Sequence, residues 1–285
     1  MADDNTIVGK HWRGIVNVDY FIVFGDSYSS VRDQFDLLPS PTKNKRLGIE
    51  FPGNTWNEPD EPNWIGHLLS KPGMNPDMLV YDYALGGQTV DDMRTQVSDF
   101  RRQFSSTAPW NGTNSLFVAH SHPENADFEF ILPVTWIGIN DCGMPSDSES
   151  TQKTLFELQE SLYAEGARNF LFIDVPPIDR SPAFAPPATV YETWNAGLRT
   201  SISTFASGHP DATILLFSSH DLFTRLLDNP VEYGFDQATA SVAGGCIWYD
   251  HLHPTTRVHN VIASEVARFL TSQSSPVKQT LDDTN

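Results

Sequence analysis

Cysteine is nearly absent from this sequence. The 285 residues hold two, Cys142 and Cys246, too few for a disulfide framework or a tetrahedral thiolate metal site. Basic residues are scarce as well: 18 Lys and Arg stand against 36 Asp and Glu, a net charge of −18. Such a chain repels phosphate backbones and anionic bilayers, so neither nucleic acid nor membrane is expected as a partner. No apolar run approaches the ~20 residues that a membrane-spanning helix needs. The opening MADDNTIVGKHW lacks the basic and apolar regions of a secretory signal. The expectation is an intracellular protein if the chain is complete, and an extracellular one if a signal was trimmed. Internal repeats, low-complexity blocks and a dividing linker are also missing.

What is present is an alternation of apolar runs and helical stretches. Strand candidates are 20–25 (YFIVFG), 79–84 (LVYDYA), 130–138 (FILPVTWIG), 169–175 (NFLFIDV) and 213–217 (TILLF). Helical periodicity marks 152–165, about 190–206 and about 256–270, the last with Val258, Val261, Ile262, Val266 and Phe269 on one face. Continuous apolar strands separated by helices imply a parallel sheet covered on both faces. The expected fold is therefore α/β, a three-layer α/β/α sandwich of flavodoxin-like type with about five parallel strands. A single domain spans 1–285, its core at about 18–272 between tails 1–17 and 273–285. The Pro-rich stretches 39–62 and 176–187 read as long loops, a setting that tends to carry function.

Ligands of open parallel sheets bind beyond the carboxyl ends of the strands, and four polar segments fall there. They are Gly25-Asp26-Ser27-Tyr28, Ala84-Leu85-Gly86-Gly87-Gln88, Gly138-Ile139-Asn140-Asp141 and Asp250-His251-Leu252-His253-Pro254. Together they supply the parts of acyl transfer. Serine is a weak nucleophile until a base removes its proton, and histidine suits that task near neutral pH. A carboxylate must hold the imidazole tautomer, and Asp250 stands three residues before His253. Oxyanion donors are available at the Ser27 N–H, expected to open a helix, the Gly87 N–H and the Asn140 amide. Each segment also has a plainer reading: Ser27 as a helix cap, Gly86-Gly87 as a tight turn, Asn140-Asp141 as a side-chain-closed turn. His251 competes with His253 as the base. A metal reading of His251, His253 and His259 lacks a recognisable ligand spacing, so no metal and no cofactor are expected.

These four blocks, in this order over residues 25–253, resemble those of the GDSL/SGNH hydrolases. FPGNTWNEPDEPNWIGHL (51–68) and DVPPIDRSP (174–182) are further similar to fungal carbohydrate-esterase family 16 acetylesterases. The resemblance implies Ser27 as nucleophile, Asp250 and His253 as its triad partners, and Ser27, Gly87 and Asn140 as the oxyanion hole. Asp141 is expected to bond backbone amides, and His251 to be exposed. The implied activity is hydrolysis of a small-molecule ester, most simply an acetyl ester of a saccharide. The alternatives are a lipolytic esterase, lysophospholipase or thioesterase with the same triad, or a carbohydrate-binding protein on an inactive scaffold.

Three expectations remain. Trp56 and Trp248, near the nucleophile and the Asp-His loop, are candidates for packing against a sugar. Cys142 and Cys246 either bridge two site loops or stay as thiols. Finally, 115–118 (SLFV) and 135–141 (TWIGIND) read as two halves of one strand interrupted by 119–134. That segment is either a surface excursion, with 128–136 replacing the lost half, or a gene-model artefact whose deletion leaves an active enzyme.

Overall fold

Each of the five apolar runs becomes a strand of one parallel sheet. The computed structural model describes residues 6–32, 38–107, 131–144 and 147–275. Its strands are β1 (Tyr20–Gly25), β2 (Leu79–Asp82), β3 (Ile131–Trp136), β4 (Asn169–Ile173) and β5 (Thr213–Phe217), in the order β2-β1-β3-β4-β5. Past its first residue β1 is wholly buried, as are β3, β4 and β5 along their lengths. That is why these runs are continuously apolar rather than alternating. The helices are α1 (Trp64–Leu68), α2 (Val90–Thr107), α3 (Ile139–Cys142), α4 (Ser148–Ala164), α5 (Ala188–Gly208), α6 (Ser219–Asp228) and α7 (Thr256–Ser272). α1 packs on α7, while α4 packs on α2 and α5. On α7 the buried positions Val258, Ile262, Val266 and Leu270 recur every fourth residue, one stripe facing inward.

Strand order reverses between β1 and β3, the switch point where an α/β sheet opens a crevice at its carboxyl edge. Gly25 pairs with Trp136 there, so the segments that follow β1 and β3 leave the sheet side by side. Register, rather than sequence proximity, thus brings Ser27 and Asn140 to one place.

One open alternative is decided, in that 131–136 of the proposed replacement 128–136 forms the strand, and one boundary shifts. Residues 131–134, the end of the questioned segment, pair with Tyr20–Val23 of β1. They are the central strand, so removing 119–134 whole would strip β1 of those partners; 115–118 and 108–130 lie outside the described residues. Pro133 donates no N–H, and the β3–β4 ladder starts only at Val134. At the other end, residues 7–17 are not a tail. Ile7 exchanges both backbone hydrogen bonds with Ile214 of β5, at 2.8 Å each, and Trp12 is fully buried with its indole N–H on the Gln273 carbonyl at 2.9 Å. A short segment thereby covers the β5 edge, which would otherwise present unpaired backbone groups. Among the described residues no helix is long and apolar enough to cross a membrane.

Candidate active site

Gln96 of α2 clamps the end of β1. The Gly25 N–H donates to Gln96 Oε1 at 2.9 Å, and Gln96 Nε2 donates back to the Gly25 carbonyl at 2.7 Å. The chain then closes on Asp26: the Tyr28 amide donates to its Oδ1 at 3.0 Å, and the Ser29 and Ser30 amides to its carbonyl at 3.1 and 3.0 Å. This is a turn and not the start of a helix, which corrects the expectation for Ser27. The reason is local. Asn63 Nδ2 donates to the Ser29 and Ser30 carbonyls at 2.8 and 3.0 Å, taking acceptors a helix would need for its next turn. Asn63 Oδ1 meanwhile caps α1 at the Ile65 and Gly66 amides. One side chain therefore fixes both the serine turn and the helix that follows.

The Asp-His loop is held as firmly. The Tyr249 amide donates to the His253 carbonyl at 2.9 Å and the Thr255 amide to the Ile247 carbonyl at 2.8 Å. Asp250 Oδ1 accepts the Leu252 and His253 amides at 2.7 Å each, while its Oδ2 lies 2.8 Å from His253 Nδ1. His253 Nε2 lies 2.9 Å from Ser27 Oγ. Burial raises the Asp250 carboxyl, but the hydrogen bonds from the His253 ring and the two amides outweigh it and hold it below its ordinary range. An ionised Asp250 only accepts, so Nδ1 carries the proton and Nε2 is left to accept from the Ser27 hydroxyl. Tyr28 adds a strut between the two loops, donating its phenol to the Leu252 carbonyl at 2.7 Å.

At the end of β3, Asn140 Nδ2 donates to the Gln88 carbonyl at 2.9 Å. That bond uses one amide hydrogen, leaves the second, and ties the end of β3 to the Gly86-Gly87 turn. Gly87 has φ +78°, and nothing lies within 4 Å of where a side chain would stand, so its turn faces open space. Asp141 accepts the Val90 amide at 3.1 Å, which anchors the first turn of α2, and also accepts its own backbone amide. Burial pushes Asp141 up to about 6 despite those bonds, with Asp91 and Asp92 adding to the rise. Burial also pushes Asp26 up to about 7, partly offset by the Tyr28 amide and reinforced by Asp141.

Ser27, Asp250 and His253 are thus brought together, and Asn140 is tied to Gln88, the residue after Gly87; His251 is exposed. One other expectation is corrected, and the alternative left open for the cysteines is decided. Trp248 is fully buried, stacked at 6.0 Å on Phe223, so its apolar ring serves the core and offers no face to a ligand. Cys142 and Cys246 are both free. The Cys246 thiol donates to the Asp236 carbonyl at 3.2 Å, and burial raises the Cys142 thiol to about 12, which leaves it inert. Trp56 stays half-exposed, with its ring centroid 5.1 Å from that of His253. Sequence reasoning did not find Gln96, Asn63, Gln88 or the Tyr28 strut. Each acts through a backbone carbonyl or amide distant in sequence, and no local pattern marks such contacts.

A family model of GDSL-like lipases and acylhydrolases matches residues 21–266, a span that begins at β1 and takes in all four blocks. The chain belongs to the GDSL-like lipase/acylhydrolase family. This GDSL hydrolase is a carboxylic ester hydrolase. It is 29% identical over 287 residues to an acetylesterase of Thermothelomyces thermophilus, with 88% of each chain covered. Its fold is similar to that of a catalytic mutant of Axe2, an acetylxylan esterase from Geobacillus stearothermophilus. That match has a TM-score of 0.55 and 14% identity over 90% of this chain and 95% of the other. LAE5, an α/β hydrolase from the metagenome of Lake Arreo, Spain, gives 0.53 and 16% over 91% of this chain and 100% of the other.

Proposed function

We propose that this GDSL hydrolase removes acetyl groups from small saccharides through an acyl-serine intermediate on Ser27. The observation that carries the mechanism is the unbroken relay Ser27 Oγ–His253 Nε2–His253 Nδ1–Asp250 Oδ2, at 2.9 and 2.8 Å. His253 takes the Ser27 proton as Oγ attacks the ester carbonyl. Asp250 steadies the imidazolium that forms. The developing oxyanion is received by the Ser27 and Gly87 amides and the free Asn140 amide hydrogen, each donor lowering the barrier by ~2.7–4 kcal/mol. His253 then protonates the departing alcohol, and water, activated in the same way, releases acetate. The acetyl half of the reading is supported by the similarity to an acetylesterase across 88% of the chain. The saccharide half rests on the likeness of residues 51–68 and 174–182 to carbohydrate esterases.

The test is p-nitrophenol release from acetyl, butyryl and octanoyl esters, wild type beside Ser27→Ala. Turnover should fall with acyl length and be lost in the variant by at least ~10³-fold. Activity that survives Ser27→Ala would overturn the mechanism, and a preference for octanoate would move the substrate to lipids.

A further inference from the structure

Trp56 is an exposed aromatic in a loop built not to move. The Asn54 amide donates to the Val31 carbonyl at 2.8 Å, and Thr55 Oγ1 to the Glu61 carbonyl at 2.9 Å. Buried Asn57 donates to the Glu61 and Pro62 carbonyls at 3.2 Å each. Glu58 Oε2 accepts the Thr256 amide at 2.7 Å, and Thr256 Oγ1 donates to the Pro62 carbonyl at 2.9 Å. The loop is therefore fastened to the first turn of α7, three residues after His253. An aromatic ring that is 41% exposed while its backbone is this constrained gains little from core packing.

Its position explains it. The indole is inclined 32° to the His253 ring at 5.1 Å. At its other end, a Cβ added to Gly86 would stand 2.2 Å from Trp56 Cζ2 and 2.5 Å from Cε2. Any side chain at 86 would evict the ring, so the first glycine of the pair exists for Trp56 and the second for the open turn. The indole thus forms a wall running from the base to the edge of the Gly86-Gly87 turn. In ester cleavage the leaving alcohol must lie beside His253 Nε2, which protonates it. The alcohol, and not the acyl group, is what this wall meets.

We infer that Trp56 is the platform on which the sugar ring of the leaving group lies, so that the residue selects saccharide esters from the alcohol side. The inference rests on the acyl-serine reading with a saccharide acetate as substrate. A flat apolar surface accepts the C–H face of a pyranose while its hydroxyls stay in water, and it has nothing to hold on a short alkyl alcohol.

The experiment measures acetate release from a fully acetylated methyl glucoside and from ethyl acetate, as the ratio of their kcat/KM values. Trp56→Ala should lower the ratio roughly tenfold or more, chiefly through KM for the sugar, and Trp56→Phe should restore most of it. Gly86→Ala should lower the same ratio with Trp56 still present, so the result does not hang on one variant folding. An unchanged ratio in all three would overturn the inference. So would a parallel loss on both esters, which would mean that Trp56 acts by orienting His253. If the wild type itself shows no preference for the sugar ester while Ser27→Ala is inactive, the saccharide reading fails and takes this inference with it, leaving the acyl-serine mechanism standing.

Discussion

Asp250 spends one oxygen on two backbone amides and the other on the His253 ring, so its replacement separates orientation from charge. Asp250→Asn keeps the two amide bonds only with its oxygen turned to them, which presents its NH2 to Nδ1 and favours the wrong tautomer. A fall in kcat of roughly 10³–10⁴-fold is expected in a p-nitrophenyl acetate assay; a loss under tenfold would show that the tautomer is fixed elsewhere. Asn140 carries two duties, the bond to Gln88 and the free hydrogen. Asn140→Ala should lower kcat roughly 10²–10³-fold with little change in KM, whereas an equal rise in KM would assign it to substrate binding. At this scale the sequence was legible where residue type alone names a chemistry. Ser27, Asp250 and His253 could be picked out because acyl transfer needs those groups, and the structure brings the three within hydrogen-bond reach. Trp248 was misread because a tryptophan beside a catalytic loop looks the same in sequence whether its ring faces the cleft or the core.

Among the elements, the strands and the helices expected at 152–165, 190–206 and 256–270 follow their periodicity closely, β1 and β5 occupy the spans expected from 20–25 and 213–217, and α2 was given no range in advance. Connections were harder. The segment after Ser27 has the composition of a capped helix, and only the competition from Asn63 for the Ser29 and Ser30 carbonyls makes it a turn. The turn from β3 into α3 depends on Gly138, whose φ is +126° and whose missing Cβ would meet the Trp194 ring at 2.4 Å. Gly138→Ala combines backbone strain with a clash against a buried indole. Thermal unfolding should show a loss of roughly 2–4 kcal/mol. A variant with wild-type stability would mean that Trp194 gives way freely.

For the whole molecule, the buried carboxyls set a pH dependence. Asp26 rises from an ordinary 3.8 to about 7 on folding. Between pH 4 and 7 the folded chain therefore holds a proton that the unfolded chain has lost, and this group's contribution to stability falls across that window and levels off above it. Asp250 acts in the opposite sense: its carboxyl is depressed, so its contribution is full above the ordinary carboxylate range and is lost on acidification below it. Asp26→Asn keeps an oxygen for the Tyr28 amide and cannot ionise. Urea melts should show the stability difference between pH 5 and pH 8 reduced by roughly 1–3 kcal/mol relative to wild type. Parallel pH profiles would show that Asp26 is ionised in the folded protein.

The division between sequence and structure follows from range. Apolar periodicity acts over a few residues, so the chain alone determined five buried strands, three of the long helices, the polar segments that follow β1, β2 and β3, and the Asp-His segment before α7. Whether those segments meet depends on strand order and register. The 2-1-3-4-5 order, the pairing of Gly25 with Trp136 and the 2.9 Å approach of His253 to a serine 226 residues away come from packing the whole sheet. So does the seating of Trp56 on Gly86, where two loops meet because α7 holds one of them and β2 delivers the other.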